Sequence, residues 1–266
     1  AAGFPSEQSV TVTSQAGSYE TSLLEGTFQL NLSSPPTALM GTELIRYLIA
    51  PTMTLTRGTG FDINIPTSEL DGNVTIDGAP IPDRKPGTDF MLDYVPTGGD
   101  EATVATHHEG GVMGFTSLIP KDKYSVNLRF EGQPDKHLPS MIFNKQIAQQ
   151  VDLNQNAALN VDLSTFLVEG GILIDGAPPA PNPSGNYTMF WFGWSGATAP
   201  ASLLYYEIPL DTASFSLNVF PSKYSVYLWV NDLLGADLAE GWILINRAID
   251  VIGNTQLPIS IDTALF

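Results

Sequence analysis

One seven-residue pattern occurs three times at constant spacing, and it limits the fold more than any other feature of the chain. Phe61-Asp62-Ile63-Asn64-Ile65-Pro66-Thr67 returns as Leu159-Asn160-Val161-Asp162-Leu163-Ser164-Thr165 and again as Leu257-Pro258-Ile259-Ser260-Ile261-Asp262-Thr263, 98 residues apart each time. Apolar residues hold positions one, three and five, and threonine holds position seven. A period of two is the mark of a half-buried strand. A repeat of this length is a domain rather than a solenoid unit.

Two further phrases recur inside this frame. Gly72-Asn73-Val74-Thr75-Ile76-Asp77-Gly78-Ala79-Pro80 is echoed by Gly170-Gly171-Ile172-Leu173-Ile174-Asp175-Gly176-Ala177-Pro178. Each reads as a strand, a tight Asp-Gly turn, and a proline that ends regular pairing. Phe115 to Leu128 is echoed by Phe215 to Leu228, with Lys-Tyr-Ser-Val at the centre of both. A proline between two alternating stretches reads there as a hairpin. About seven short strands per repeat is the pattern of an immunoglobulin-like sandwich. The expected fold is all-β, with tandem Ig-like antiparallel β-sandwich domains at 67–164 and 165–266. Residues 1–66 would form a truncated or divergent first domain. Phe28 to Pro35 matches Phe215 to Pro221, the second half of the repeat, and no Asp-Gly-Ala-Pro phrase precedes it. Residues 37–49 fit a short helix or a strand, and the β-rich context favours the strand.

These phrases resemble the carboxypeptidase-regulatory-like or transthyretin-like branch of Ig-type sandwiches. Phe61 to Thr67, Gly72 to Asp83 and Pro120 to Val126 carry the match, and residues 159–181 and 221–226 carry it again. The glycine expected after Pro120 and Pro221 is replaced by Lys121-Asp122 and by Ser222. The resemblance implies modules that stand in tandem in secreted and surface proteins of Gram-negative bacteria. It implies a spacer, adhesive or assembly role and singles out no function.

Composition removes several classes of function. The net charge is −17, with only 11 basic residues. There is no basic patch to neutralise phosphates, which argues against nucleic-acid binding. Anionic membranes would repel such a surface. No apolar run is long enough for a spanning helix, so membrane insertion is not expected. Cysteine is absent, which excludes disulfides, thiolate catalysis and cysteine-based zinc sites. Acidity and the lack of thiols favour an extracellular or cell-surface location. The opening Ala1-Ala2-Gly3-Phe4 fits a mature N-terminus left by signal cleavage.

No constellation amounts to an active site. His107-His108-Glu109 is the one histidine cluster, and neighbours on a strand point to opposite faces. His137 stands alone. Asp71, Asp77, Asp83, Glu169 and Asp175 lie near turns, without the spaced run of oxygens that calcium needs. Asp77 and Asp175 are already explained as turn residues. Gly-x-Ser-x-Gly, phosphate-loop and HExxH motifs are missing. Asn31, Asn73 and Asn186 head glycosylation patterns at the frequency chance supplies. The expectation is a non-catalytic chain with no metal and no cofactor.

Two stretches remain as interaction candidates. In Tyr187-Thr188-Met189-Phe190-Trp191-Phe192-Gly193-Trp194, a strand puts Phe190 and Phe192 on one face and Tyr187, Met189 and Trp191 on the other. Alignment at 98 matches Phe190 and Phe192 to Leu92 and Tyr94, and Trp191 to Asp93. The Tyr187/Met189/Trp191 stripe is then either an exposed sugar platform or interface, or core, and both readings stand. The second stretch is the last closing strand, with Ile259, Ile261, Ala264, Leu265 and Phe266. It runs on into the position that opens a new repeat, so it is a candidate donor for head-to-tail strand addition. The leading expectation is therefore a structural subunit of a surface fibre or stalk, partnered by itself or by other surface proteins. The alternative is a carbohydrate-binding or adhesive module with a glycan as ligand. An enzyme accessory domain is a third reading, by analogy with the family name alone.

Overall fold

In the computed structural model the described residues are 25–39, 42–81, 89–97, 103–107, 114–131, 138–139, 142–179, 187–194, 203–209, 213–230, 241–262 and 264. Their extended regular structure is all strand. The first two are β1 (Gly26–Leu39) and β2 (Thr42–Leu55). The next eight are β3 (Thr67–Ile76), β4 (Ala79–Pro80), β5 (Asp89–Pro96), β6 (Thr103–His107), β7 (Phe115–Pro120), β8 (Lys123–Glu131), β9 (Ile142–Asp152) and β10 (Ala157–Leu163). The last eight follow the same order, with no counterpart of β4 and the closing strand in two pieces: β11 (Phe166–Ile174), β12 (Tyr187–Trp194), β13 (Leu203–Pro209), β14 (Ser214–Val219), β15 (Ser222–Val230), β16 (Gly241–Val251), β17 (Thr255–Gln256) and β18 (Ile259–Ile261).

Sequence alternation translates directly into burial. Along β3, Ser68, Leu70, Gly72, Val74 and Ile76 turn inward while Asp71 and Asn73 face water. The Asp-Gly phrases make the expected turns, with φ of 51° and 71° at Asp77 and Gly78 and of 52° and 81° at Asp175 and Gly176. Positive φ at both central residues is the two-residue hairpin turn that matches the strand twist. It brings Ile76 opposite Ala79.

The chain is an all-β array of sandwich units. One sheet of ten antiparallel strands runs β1-β2-β6-β5-β8-β9-β13-β12-β15-β16. Two sheets of four strands lie apart from it. In the first, β3 pairs with β10, β4 and β7; in the second, β11 pairs with β14, β17 and β18. Leu70, Val74 and Ile76 of β3 share one apolar cluster with Leu92 and Tyr94 of β5 and Val126 and Leu128 of β8. Val168 and Ile172 of β11 join Phe192, Val226 and Leu228 in the same way. Each unit thus has two layers with its core between them.

The phrase around Pro120 does not make the hairpin its alternation suggests. β7 pairs with β3 and β8 pairs with β5 and β9, so the chain crosses from one layer to the other at the proline. Just past the crossing, the Tyr124 hydroxyl donates to the Pro120 carbonyl at 2.7 Å, and Tyr224 donates to the Phe220 carbonyl at 2.9 Å. This tyrosine corner closes the crossover in both units.

The N-terminal hairpin corrects a second expectation. In β8–β9 the register slips twice, between Tyr124 and Val126 and between Val126 and Asn127. β15–β16 slips at Tyr224/Val226 and Val226/Tyr227, and β1–β2 at Phe28/Leu30 and Leu30/Asn31. Phe28 is thus the counterpart of Tyr124 and Tyr224, rather than of Phe215. Alternation alone could not separate these alignments, because both preserve a period of two. The closing segment before β3 differs as well. Residues 61–66 carry the strand pattern but lie outside every strand of the described residues, and the Lys121 amide donates to the Pro66 carbonyl at 2.9 Å.

Candidate functional site

Two surfaces stand out. The first is an aromatic face built across β13, β12, β15 and β16. Register sets Tyr205, Trp191, Tyr227 and Leu244 in one row, and Trp229 opposite Trp242 in the adjoining one. The Trp229 and Trp242 rings lie 5.1 Å apart, centre to centre, and Tyr205 lies 6.4 Å from Trp242. Trp242 and Leu244 keep 37% and 38% of their surface exposed, while Tyr205, Tyr227 and Trp229 are half-buried. Clustered flat rings with exposed edges are an unusual surface for a strand whose partners are satisfied, and such patches mark contact sites.

The first unit puts polar groups on the same lattice positions. Register aligns Asp93 with Trp191, Asn127 with Tyr227, Arg129 with Trp229 and Asn144 with Trp242. Arg129 Nε sits 3.2 Å from Asp93 Oδ2. The frame is shared and the chemistry is replaced, so the fold does not itself demand the aromatic face.

Tyr187, Met189 and Trp191 have described backbones in β12, and their side chains lie outside the described residues. The alignment on which the stripe rested holds: Phe190 and Phe192 pair with Leu228 and Val226 as Leu92 and Tyr94 pair with Leu128 and Val126. Phe192 is fully buried. Tyr205, Tyr227, Trp229 and Trp242 were not singled out in the sequence. Tyr227 and Trp229 do alternate in β15, but their neighbourhood with β13 and β16 is a matter of sheet order.

The second surface is the outer edge of the large sheet. β2 carries β6 on its outer side, and β9 carries β13. β16 occupies the same place in the third hairpin, and no described strand pairs with its outer side. The closing strand is placed differently from the donor role considered for it. Ile259 and Ile261 are buried and pair in parallel with Ile172 and Ile174 of β11. Their apolar side chains belong to the core, so this strand is already used inside the chain. Ala264 is exposed, and Leu265 and Phe266 lie outside the described residues.

Several of the described acidic residues are engaged in structural bonds. Asp77 accepts from the Thr165 amide at 2.8 Å and its hydroxyl at 2.5 Å. Asp71 accepts from Thr116 at 2.7 Å, and Glu169 from Ser216 at 3.2 Å. Asp162 accepts from the Thr75 hydroxyl at 2.7 Å and the Gly78 amide at 2.9 Å, and these bonds hold its carboxyl below the usual range. Asp175 occupies its turn. His107 ends β6 with its side chain outside the described residues, as are Asp83, His108, Glu109 and His137. Among the described residues no group of three or more His, Cys, Asp or Glu is placed to hold a metal ion. No described helix is long and apolar enough to cross a membrane.

No protein-family model matches the chain, and no curated protein matches its sequence. Solved structures with partial likeness include a leucine-rich repeat protein from Bacteroides thetaiotaomicron, at 8% identity and a TM-score of 0.26, covering 74% of this chain and 26% of that one. A candidate adhesin from Bacteroides ovatus has 10% identity and a TM-score of 0.31, covering 77% of this chain and 98% of that one. A DUF3823 family protein from Parabacteroides merdae has 14% identity and a TM-score of 0.27, covering 70% of this chain and 99% of that one. The chain spans about a quarter of the first protein and nearly all of the other two.

Proposed function

We propose that this chain is a non-catalytic structural subunit of an extracellular or cell-surface assembly, a fibre or stalk that grows by β-strand addition. One observation carries the reading. Each hairpin of the large sheet hands its outer edge to a strand of the following unit, β2 to β6 and β9 to β13, and among the described residues no strand pairs with that edge of β16. An edge that already serves twice as a joint supports use as a third, between copies, in a head-to-tail contact that does not close. The acidic, cysteine-free composition supports a place outside the cell, and the phrases shared with carboxypeptidase-regulatory-like modules of Gram-negative surface proteins agree with it.

Leu244→Lys puts a charge on the exposed face of this edge strand, a substitution that natural edges use to block pairing. Size-exclusion chromatography and electron microscopy should show polymers of the parent chain and monomers of the variant, with the β circular-dichroism spectrum unchanged. A parent chain that stays monomeric at high concentration removes the assembly reading.

The aromatic face favours a second reading, an adhesive module for glycans. Sugar rings stack their C–H faces on flat aromatic side chains, and Tyr205, Tyr227, Trp229 and Trp242 present several in one place. On this reading Trp229→Ala lowers glycan-array signals about tenfold or more. Binding that is indifferent to it rejects the site.

A further inference from the structure

The aromatic face lies in a strongly acidic part of the chain. Residues 165–266 hold nine acids and two bases, Lys223 and Arg247. Lys223 stands opposite Asp250 in the β15–β16 ladder, and Arg247 lies three residues beyond Leu244 in β16. Glu207 stands on the face itself. It follows Tyr205 by two residues in β13, so both side chains leave the same side of the sheet. Tyr206 and Ile208 turn the other way and are buried, whereas Glu207 is exposed. About 7 Å of strand separates the Tyr205 and Glu207 backbones.

The rings are disposed for a cation. Trp229 and Trp242 meet at 65° and Tyr205 and Trp242 at 61°, so neither pair is stacked and the ring faces turn at an angle to one another. A positive charge within about 6 Å of a ring centre is drawn to the ring face, most strongly to that of tryptophan. The chain makes such a contact at its own joint, where Lys145 Nζ lies 5.7 Å from the centre of the Phe220 ring. The first unit puts a cation of its own on the shared lattice. Arg129, the counterpart of Trp229, sits there beside Asp93. In the second unit a tryptophan replaces the guanidinium, and a carboxylate stands at Glu207, the counterpart of His107.

We propose that this face takes a cationic polysaccharide, a polymer of amino sugars whose amines are free and protonated. The inference rests on the glycan reading of the face and adds the charge of the ligand. Tyr205, Trp229 and Trp242 stack on the sugar rings and attract the ammonium groups, and Glu207 accepts a charge-assisted hydrogen bond from one of them. A neutral polymer gains the stacking alone. An acidic polymer meets a chain of net charge −17 and is repelled.

The test is calorimetric titration of the full chain with three oligomers of equal length: glucosamine with free, protonated amines, its N-acetylated form, and glucose. The free-amine oligomer should bind saturably and about tenfold or more tighter than the other two. Trp242→Ala should weaken that binding about tenfold or more. Glu207→Gln should weaken it severalfold and leave the other two oligomers unaffected. This isosteric change on the surface serves alone if Trp242→Ala fails to fold. Absence of free-amine binding overturns the proposal, and the glycan reading survives it if the acetylated or neutral oligomer binds. Equal binding of all three overturns the cationic preference and leaves the glycan reading standing. Free-amine binding that ignores either folded variant is attraction to the acidic surface at large and overturns the proposal too.

Discussion

Single residues set how closely the layers approach. Gly72 and Gly170 occupy the only places in β3 and β11 where a carbonyl of the closing strand leaves no room for a Cβ. Gly170→Ala must push a backbone aside rather than a flexible side chain, since the obstruction is the Leu257 carbonyl at 2.0 Å. The expected loss is about 3 kcal/mol in urea unfolding, at the upper end for overpacking. Asp162 adds a dependence on pH. Its folded-state pKa is depressed by the Thr75 hydroxyl and then by the Gly78 amide. A depressed carboxylate contributes stability above its unfolded pKa of about 3.9 and loses it as pH falls through the lower folded value. Asp152, held low by Asn154 and more weakly by Lys123, acts in the same direction. Thermal melts of Asp162→Asn should show a lower Tm than the parent at pH 7 and a difference that narrows below about pH 4.

Elements show which signals a sequence carries. The Asp-Gly turns, β3 and β11 are legible because turn chemistry and alternation are local. The closing strands are legible as strands, but their parallel pairing with a segment 87 residues earlier is not, since nothing in the pattern Leu-x-Val-x-Leu names a partner. Phe115 to Leu128 misled for a related reason. A proline between two alternating runs is compatible with a hairpin and with a crossing between layers, and only the core decides between them. The counterpart of the N-terminal hairpin is hidden in the sequence because Phe28 stands where β8 and β15 carry the corner tyrosine, and the hydroxyl that marks the corner is missing there. The aromatic face was half-visible. Trp191 sits in an aromatic run that is visible in the sequence, while Trp242 is distant in sequence and joins the cluster only through the order β13-β12-β15-β16.

At the scale of the whole molecule, the units are joined by more than a linker. β9 and β13 share a ladder, and Phe143 of β9 stacks edge-on against Phe220 at 5.3 Å. Both rings are buried, and Lys145 Nζ lies 5.7 Å from the centre of the Phe220 ring. A continuous apolar cluster predicts that the chain unfolds in one calorimetric transition. Phe220→Ala should cost about 3–5 kcal/mol and split that transition in two. The parallel closing strands also decide how the molecule would carry tension. Each unit is entered along β3 or β11 and left along the strand that runs beside it in the same direction. Pulling on the two ends of a unit therefore drags these neighbours past each other, so that the bonds of the ladder are loaded together in shear rather than peeled one at a time. The glycine that admits the closing strand and the aspartate that hooks it then act as a mechanical clasp against such a pull.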